Sequence, residues 1–126
     1  MGAVAPPALA AAGTLPKLSV DDATVTEGDA GTTDLIFTVH LTPAGGRATA
    51  TWWLVEGSAV AGQDYVLASG KVTFTRGAST ANVAVKIIGD TLHEGTETIN
   101  LALGRPHGAT ILDGEGIGTI LDNDPV

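Results

Sequence analysis

The chain has 126 residues, 14 acids against 6 lysines and arginines, a formal net charge of −8 and no cysteine. That length suits one domain able to bury its own core, and the missing cysteine excludes disulfides, thiol chemistry and cysteine-built zinc sites. The acidic balance argues against nucleic acid and anionic membranes as partners, and no apolar run is long enough to insert into a membrane.

Residues 1–16, MGAVAPPALAAAGTLP, are rich in Ala, Pro and Gly. They lack the basic start and continuous apolar centre of a signal peptide, so they are expected to form a flexible linker or overhang. The folded domain is expected over 17–124, with 125–126 as a C-terminal edge.

From Lys17 onward, period-two alternation dominates and turn residues punctuate it. LSVDDATVTEG (18–28) reads as a first strand, breakable near Asp22-Ala23. TDLIFTVHLT (33–42) is the second, with Leu35, Phe37, Val39 and Leu41 inward. ATATWWLVEG (48–57) is the third, with Ala48, Ala50, Trp52 and Leu54 in register. GKVTFT (70–75) is the fourth, pointing Val72 and Phe74 inward, and TANVAVKII (80–88) the fifth, with Ala81, Val83, Val85 and Ile87 aligned. ETINLALG (97–104) is the sixth, with Ile99, Leu101 and Leu103 inward, and DGEG (113–116) reads as the turn before the last strand. EGIGTILDND (115–124) is the seventh, with Ile117 and Ile120 as its inward residues. No segment shows a helical period. Together these features predict an all-β, seven-stranded antiparallel sandwich of immunoglobulin-like type.

Strands that alternate in direction place their connections alternately at two ends. Glu27, Asp29 and Asp34 then fall at the same end as Glu56 and Asp64, Asp90, Glu94 and Glu97, and Asp122 and Asp124 after the last strand; this is 10 of the 14 acids. Arg47, Arg76 and Arg105 fall at the opposite end, with Lys17 just before the first strand there. Crowded carboxylates repel one another and raise each other's pKa. A fold that gathers them either disperses them into solvent or holds a cation between them. Oxygen-only ligands suit a hard cation such as Ca²⁺, which takes about 6–8 of them.

Four stretches, TVTEGD (24–29), AGQDYV (61–66), IIGDTLHEGTETI (87–99) and GIGTILDND (116–124), resemble in sequence order the signatures of Calx-beta domains, found in sodium/calcium exchangers, integrin β4 and bacterial surface and secreted proteins. The resemblance spans about 17–124. It implies calcium at one end of a sandwich, with Glu27, Asp64, Asp90, Glu94, Glu97, Asp122 and Asp124 at the positions of the family's acidic ligands. Two departures reduce the charge. Gly89 and Thr91 stand in what is an aspartate run in the richest family sites, and Asn123 sits mid-triplet. Fewer ions and weaker binding than in the best-equipped exchanger domain follow. Gly28, Gly62 and Gly95, beside the proposed ligands, permit tight backbone paths, and Tyr65 is expected to anchor its loop by packing its ring.

Trp52 and Trp53 are adjacent and should face opposite sides of a sheet. Trp52 is read as core. Trp53 points outward, either covered by a neighbouring strand or free to stack on a sugar or protein. His40, His93 and His107 are scattered, which does not suit a transition metal, and no nucleophile motif is present. Paired carboxylates could serve glycoside chemistry, but this end lacks aromatic sugar platforms.

The sequence therefore points to a non-enzymatic calcium-binding module of a larger extracellular or cell-surface protein, bacterial in character, with Ca²⁺ stiffening its acidic end and the junction to neighbouring domains. Two alternatives stay open: a carbohydrate-binding or adhesive module using Trp53, with a protein or glycan partner, and a passive spacer without ligand.

Overall fold

The computed structural model describes residues 15–28, 30–89 and 95–122. Nine strands form two sheets: β1 (Lys17–Val20), β2 (Ala23–Thr26), β3 (Thr32–Thr42), β4 (Ala48–Glu56), β5 (Ser69–Phe74), β6 (Thr80–Ile88), β7 (Glu97–His107), β8 (Thr110–Asp113) and β9 (Glu115–Leu121). One sheet has the order β6-β3-β1-β8, the other β2-β9-β7-β4-β5. Among the described residues there is no helix.

The immunoglobulin-like sandwich agrees with the sequence reading. Its inward registers on β3, β4, β5, β6 and β7 fall where alternation put them. Leu35, Phe37, Val39 and Leu41 of one sheet meet Ala50, Leu54, Ile99, Leu101 and Leu103 of the other in a single core. Each large aliphatic side chain buried there contributes about 1.5–3 kcal/mol.

Three details differ, each with a local cause. The first predicted strand is split between the sheets. Asp21 donates its N–H to the Thr38 carbonyl (3.0 Å) and its carboxylate sits 2.7 Å from His40 Nε2, both on β3. Asp22 accepts from the Ile117 N–H on β9 at 2.8 Å. Adjacent aspartates thus hold opposite sheets, and the chain crosses between them. β1 then pairs parallel with β8, and β2 parallel with β9, so the sandwich is not wholly antiparallel.

β8 is the second difference. It lies in a segment read as connection, because its side chains show no inward alternation. The expected DGEG turn shrinks to Gly114, whose carbonyl accepts from Leu103 N–H at 2.7 Å.

The third lies in β9. Ile117 was expected inward but is 46% exposed; Gly116, Gly118 and Ile120 face the core instead. A Cβ on Gly118 would come within 2.7 Å of Leu35 and Phe37. The core is so close there that only glycine fits, and glycine carries no hydrophobic signal to read.

Candidate metal centre

One end of the sandwich is assembled by backbone hydrogen bonds between connections distant in sequence. Thr26 of β2 pairs with Leu121 of β9, and the next residue, Glu27, donates its N–H to the Leu121 carbonyl at 2.9 Å. Asp122 therefore emerges beside Glu27, and its carboxylate accepts the Gly95 N–H at 3.1 Å. Glu97 opens β7 opposite Ile120 of β9. At the end of β6, Ile88 donates to the Asp64 carbonyl at 2.9 Å, and Gly89 donates to the Gly31 carbonyl at 2.9 Å. The strand-parity argument thus places Glu27, Asp64, Glu97 and Asp122 at the same end as the structure does. Asp90, Glu94 and Asp124, with Asp29 and His93, lie outside the described residues.

Burial separates these acids. Glu27 is 4% and Asp64 5% exposed, the two buried charged residues among those described. Removing a carboxylate from water costs several kcal/mol unless a cation or hydrogen bonds repay it. The Asp64 carboxylate accepts the Val60 N–H at 2.8 Å, while its own N–H donates to the Val60 carbonyl at 2.9 Å. This closes a tight loop, with Gly62 in a left-handed conformation (φ 88°). No lysine or arginine pairs with Asp64 among the described residues. Glu56, just upstream, accepts the Ala61 N–H at 3.0 Å, so this acid braces the loop.

Tyr65 packs as expected: its ring is fully buried and its backbone bridges to Ile87. Its hydroxyl has no hydrogen-bond partner among the described residues. Burial, reinforced by the nearby Glu56 and Asp64 carboxylates, pushes its pKa above the ordinary tyrosine value.

Asp34, counted with the acidic end from sequence, is instead neutralised within the sheet. Lys86, its cross-strand partner on β6, reaches it at 2.9 Å. Gly89 also acquires a structural reason. A Cβ there would collide with the Gly28 carbonyl oxygen and approach Ala30 N at 3.0 Å, so the packed turn leaves no room for the aspartate of richer sites.

Among the described residues no three His, Cys, Asp or Glu side chains close into a metal-holding group. The donor chemistry nonetheless fits a hard cation: buried carboxylates from separate connections, and oxygen as the only ligand type. Elsewhere, Trp52 is half-buried against the core, and Trp53 is 39% exposed with its ring lying against Gly104 of β7.

Comparison with known proteins agrees with this architecture. The chain resembles the crystal structure of an apo-form Calx CBD1 domain (TM-score 0.72, 21% identity, covering 87% of this chain and 99% of that one). It also resembles the calcium binding domain CBD12 of CALX1.1 (TM-score 0.73, 23% identity), of which it spans 46% while 85% of this chain is covered. A Calx CBD2 domain is similar as well (TM-score 0.69, 13% identity, 85% and 86% covered). No curated protein sequence matched. The Calx-beta domain profile matches residues 13–124, nearly the whole chain, and the protein belongs to the Calx-beta family.

Proposed function

We propose that this domain binds Ca²⁺ at its acidic end as a non-catalytic module of a larger extracellular or cell-surface protein. Calx-beta is a family of regulatory binding domains. The observation that carries the reading is the burial of Glu27 and Asp64 at the end where β9 delivers Asp122 and β7 begins with Glu97. The ion supplies the positive charge that makes such a gathering favourable. Glu27, Asp64, Glu97 and Asp122 would hold it, joined from the sequence by Asp90, Glu94 and Asp124. Because these residues come from separate connections, an ion between them ties the connections together and stiffens the junction with a neighbouring domain. This chain spans 46% of the similar structure of calcium binding domain CBD12, which leaves room there for a second unit and supports a role at domain junctions.

The test is thermal melting in Ca²⁺, in Mg²⁺ and in chelator. A ligand that binds only the folded state stabilises it by RT ln(1 + [L]/Kd), about 2.7 kcal/mol at a hundredfold excess over Kd. Ca²⁺ should raise Tm by several degrees. Mg²⁺, which demands near-octahedral geometry and keeps its waters, should do much less. Superimposable melts would leave the spacer reading, and equal effects of both ions would indicate general charge screening.

A further inference from the structure

The end opposite the acids is basic, although the chain as a whole is not. Three connections are joined there. Gly77 donates to the Gly45 carbonyl at 2.8 Å, linking the loop that carries Arg76 to the one that carries Arg47. Gly108, after β7, packs so closely on Arg47 that a Cβ would lie 2.5 Å from the Arg47 carbonyl oxygen; its φ of 77° is also a glycine conformation. Lys17 pairs with Thr110 at the same end. Lys17, Arg47, Arg76 and Arg105 are four of the chain's 6 lysines and arginines, and no acid occurs in 41–49, 72–80 or 104–111. Among the described residues no carboxylate pairs with any of the four.

A shallow pocket of about 190 Å³ opens between these connections, lined by Arg47, Ala48, Thr49, His107 and Gly108. A water needs roughly 10–15 Å³ of such space, so a tetrahedral oxyanion fits, with room for the group that carries it. Its lining is mostly apolar surface, and the register explains how His107 comes to stand beside Thr49 in it. Thr51 pairs with Gly104, but Thr49 pairs with His107, so β7 carries one extra residue between the two pairs. Without that bulge, Pro106, which has no N–H and no side-chain donor, would stand opposite Thr49 in place of His107. Arg105 sits in the bulge at φ 49°, a left-handed conformation that non-glycine residues seldom adopt and that marks functional sites more often than ordinary strands.

We propose that the Arg47–Thr49–His107–Gly108 pocket is an oxyanion site, accepting a phosphate or sulfate ester group through the Arg47 guanidinium, the Thr49 hydroxyl and the His107 ring. The guanidinium fork suits a tetrahedral anion geometrically, and the surrounding unpaired cations hold the local potential positive. This site stands at the other end of the sandwich from the proposed calcium and does not depend on it.

The test is an amide chemical-shift titration of the ¹⁵N-labelled domain with inorganic phosphate and, separately, inorganic sulfate, with ionic strength held constant by chloride. Saturable shifts confined to Thr49, His107, Gly108 and their neighbours are expected, and the tighter-binding anion identifies the ester. Arg47→Gln should weaken binding about tenfold or more, the loss of one charge-assisted contact. Lys86→Gln, on β6 in the other sheet, should leave binding unchanged. Shifts that do not saturate, that spread equally to Asp34 and Lys86 in the other sheet, or that survive Arg47→Gln unchanged would overturn the proposal.

Discussion

The two ends of the sandwich carry opposite charge and hold it differently. At one end, Glu27 and Asp64 are buried, and the backbone around them is packed closely enough that Gly89 has no room for a side chain. At the other, Arg47, Arg76 and Arg105 are exposed to solvent, and the loop residues Gly45 and Gly46 have nothing within 4 Å of where a Cβ would lie, although Gly108 there packs closely on Arg47. Exposed charges at a surface cost little, and pairing them gains little. Buried charges must be compensated. The comparison teaches that local charge density alone does not define a site. The acidic end has made an energetic commitment that a cation can repay, whereas the basic end remains solvated and open to an anion.

Matched substitutions sharpen this contrast most. Gly89→Asp puts the carboxylate of richer family sites into the packed end, and Gly46→Asp puts one into the open end. Overpacking typically costs about 1–3 kcal/mol, so Gly89→Asp should lose stability of that order in chelator by urea unfolding. Gly46→Asp should stay within about 0.5 kcal/mol, as surface changes do. Equal losses would mean that Gly89 is no more tightly packed than Gly46.

Tyr65 probes the packed end by titration. It is the chain's 1 tyrosine, so its ionisation can be followed spectroscopically. Its folded pKa is raised above 10.0 by burial and by Glu56 and Asp64. The folded state therefore retains the proton that the unfolded chain gives up first. This contribution to stability is fully present below the unfolded pKa of about 10 and is lost as pH rises from there through the folded value. The native protein should show its tyrosinate transition at higher pH than the urea-unfolded chain, and coincident transitions would contradict that environment. Tyr65→Phe removes a hydroxyl without a described partner, so its stability should be unchanged or up to about 1 kcal/mol higher.

The smallest effect belongs to the open end. Arg105 holds φ 49° in the β7 bulge, where glycine would carry no steric penalty. Arg105→Gly should be neutral or stabilising by less than about 1 kcal/mol in chemical denaturation. A clear loss would show that the Arg105 side chain, rather than its position, supports the bulge.

Much of the fold was legible because five strands alternate strictly and bury what they alternate. The last strand misled because its inward positions 116 and 118 are glycines, silent in any hydrophobic pattern. The split of the first strand showed only as the pair Asp21-Asp22, whose hydrogen bonds to opposite sheets depend on partners 19 and 95 residues away. For the site, strand direction alone brought Glu27, Asp64 and Asp122 to one end. It could not show that Glu27 and Asp64 are buried, nor that Asp34 is neutralised by Lys86, 52 residues on, because burial and cross-strand pairing belong to the assembled sandwich.

The most direct measurement of the central claim is a calorimetric Ca²⁺ titration of the parent domain beside Asp122→Asn and Arg76→Gln, one variant for each end. The parent and Arg76→Gln should bind Ca²⁺ alike. Asp122→Asn, which loses one charged oxygen at the acidic end, should bind at least about tenfold more weakly, a difference of about 1.4 kcal/mol, while melting in chelator at or above the parent's temperature because one repelling carboxylate is gone. Undiminished binding by Asp122→Asn, or no heat of binding in the parent, would contradict the account.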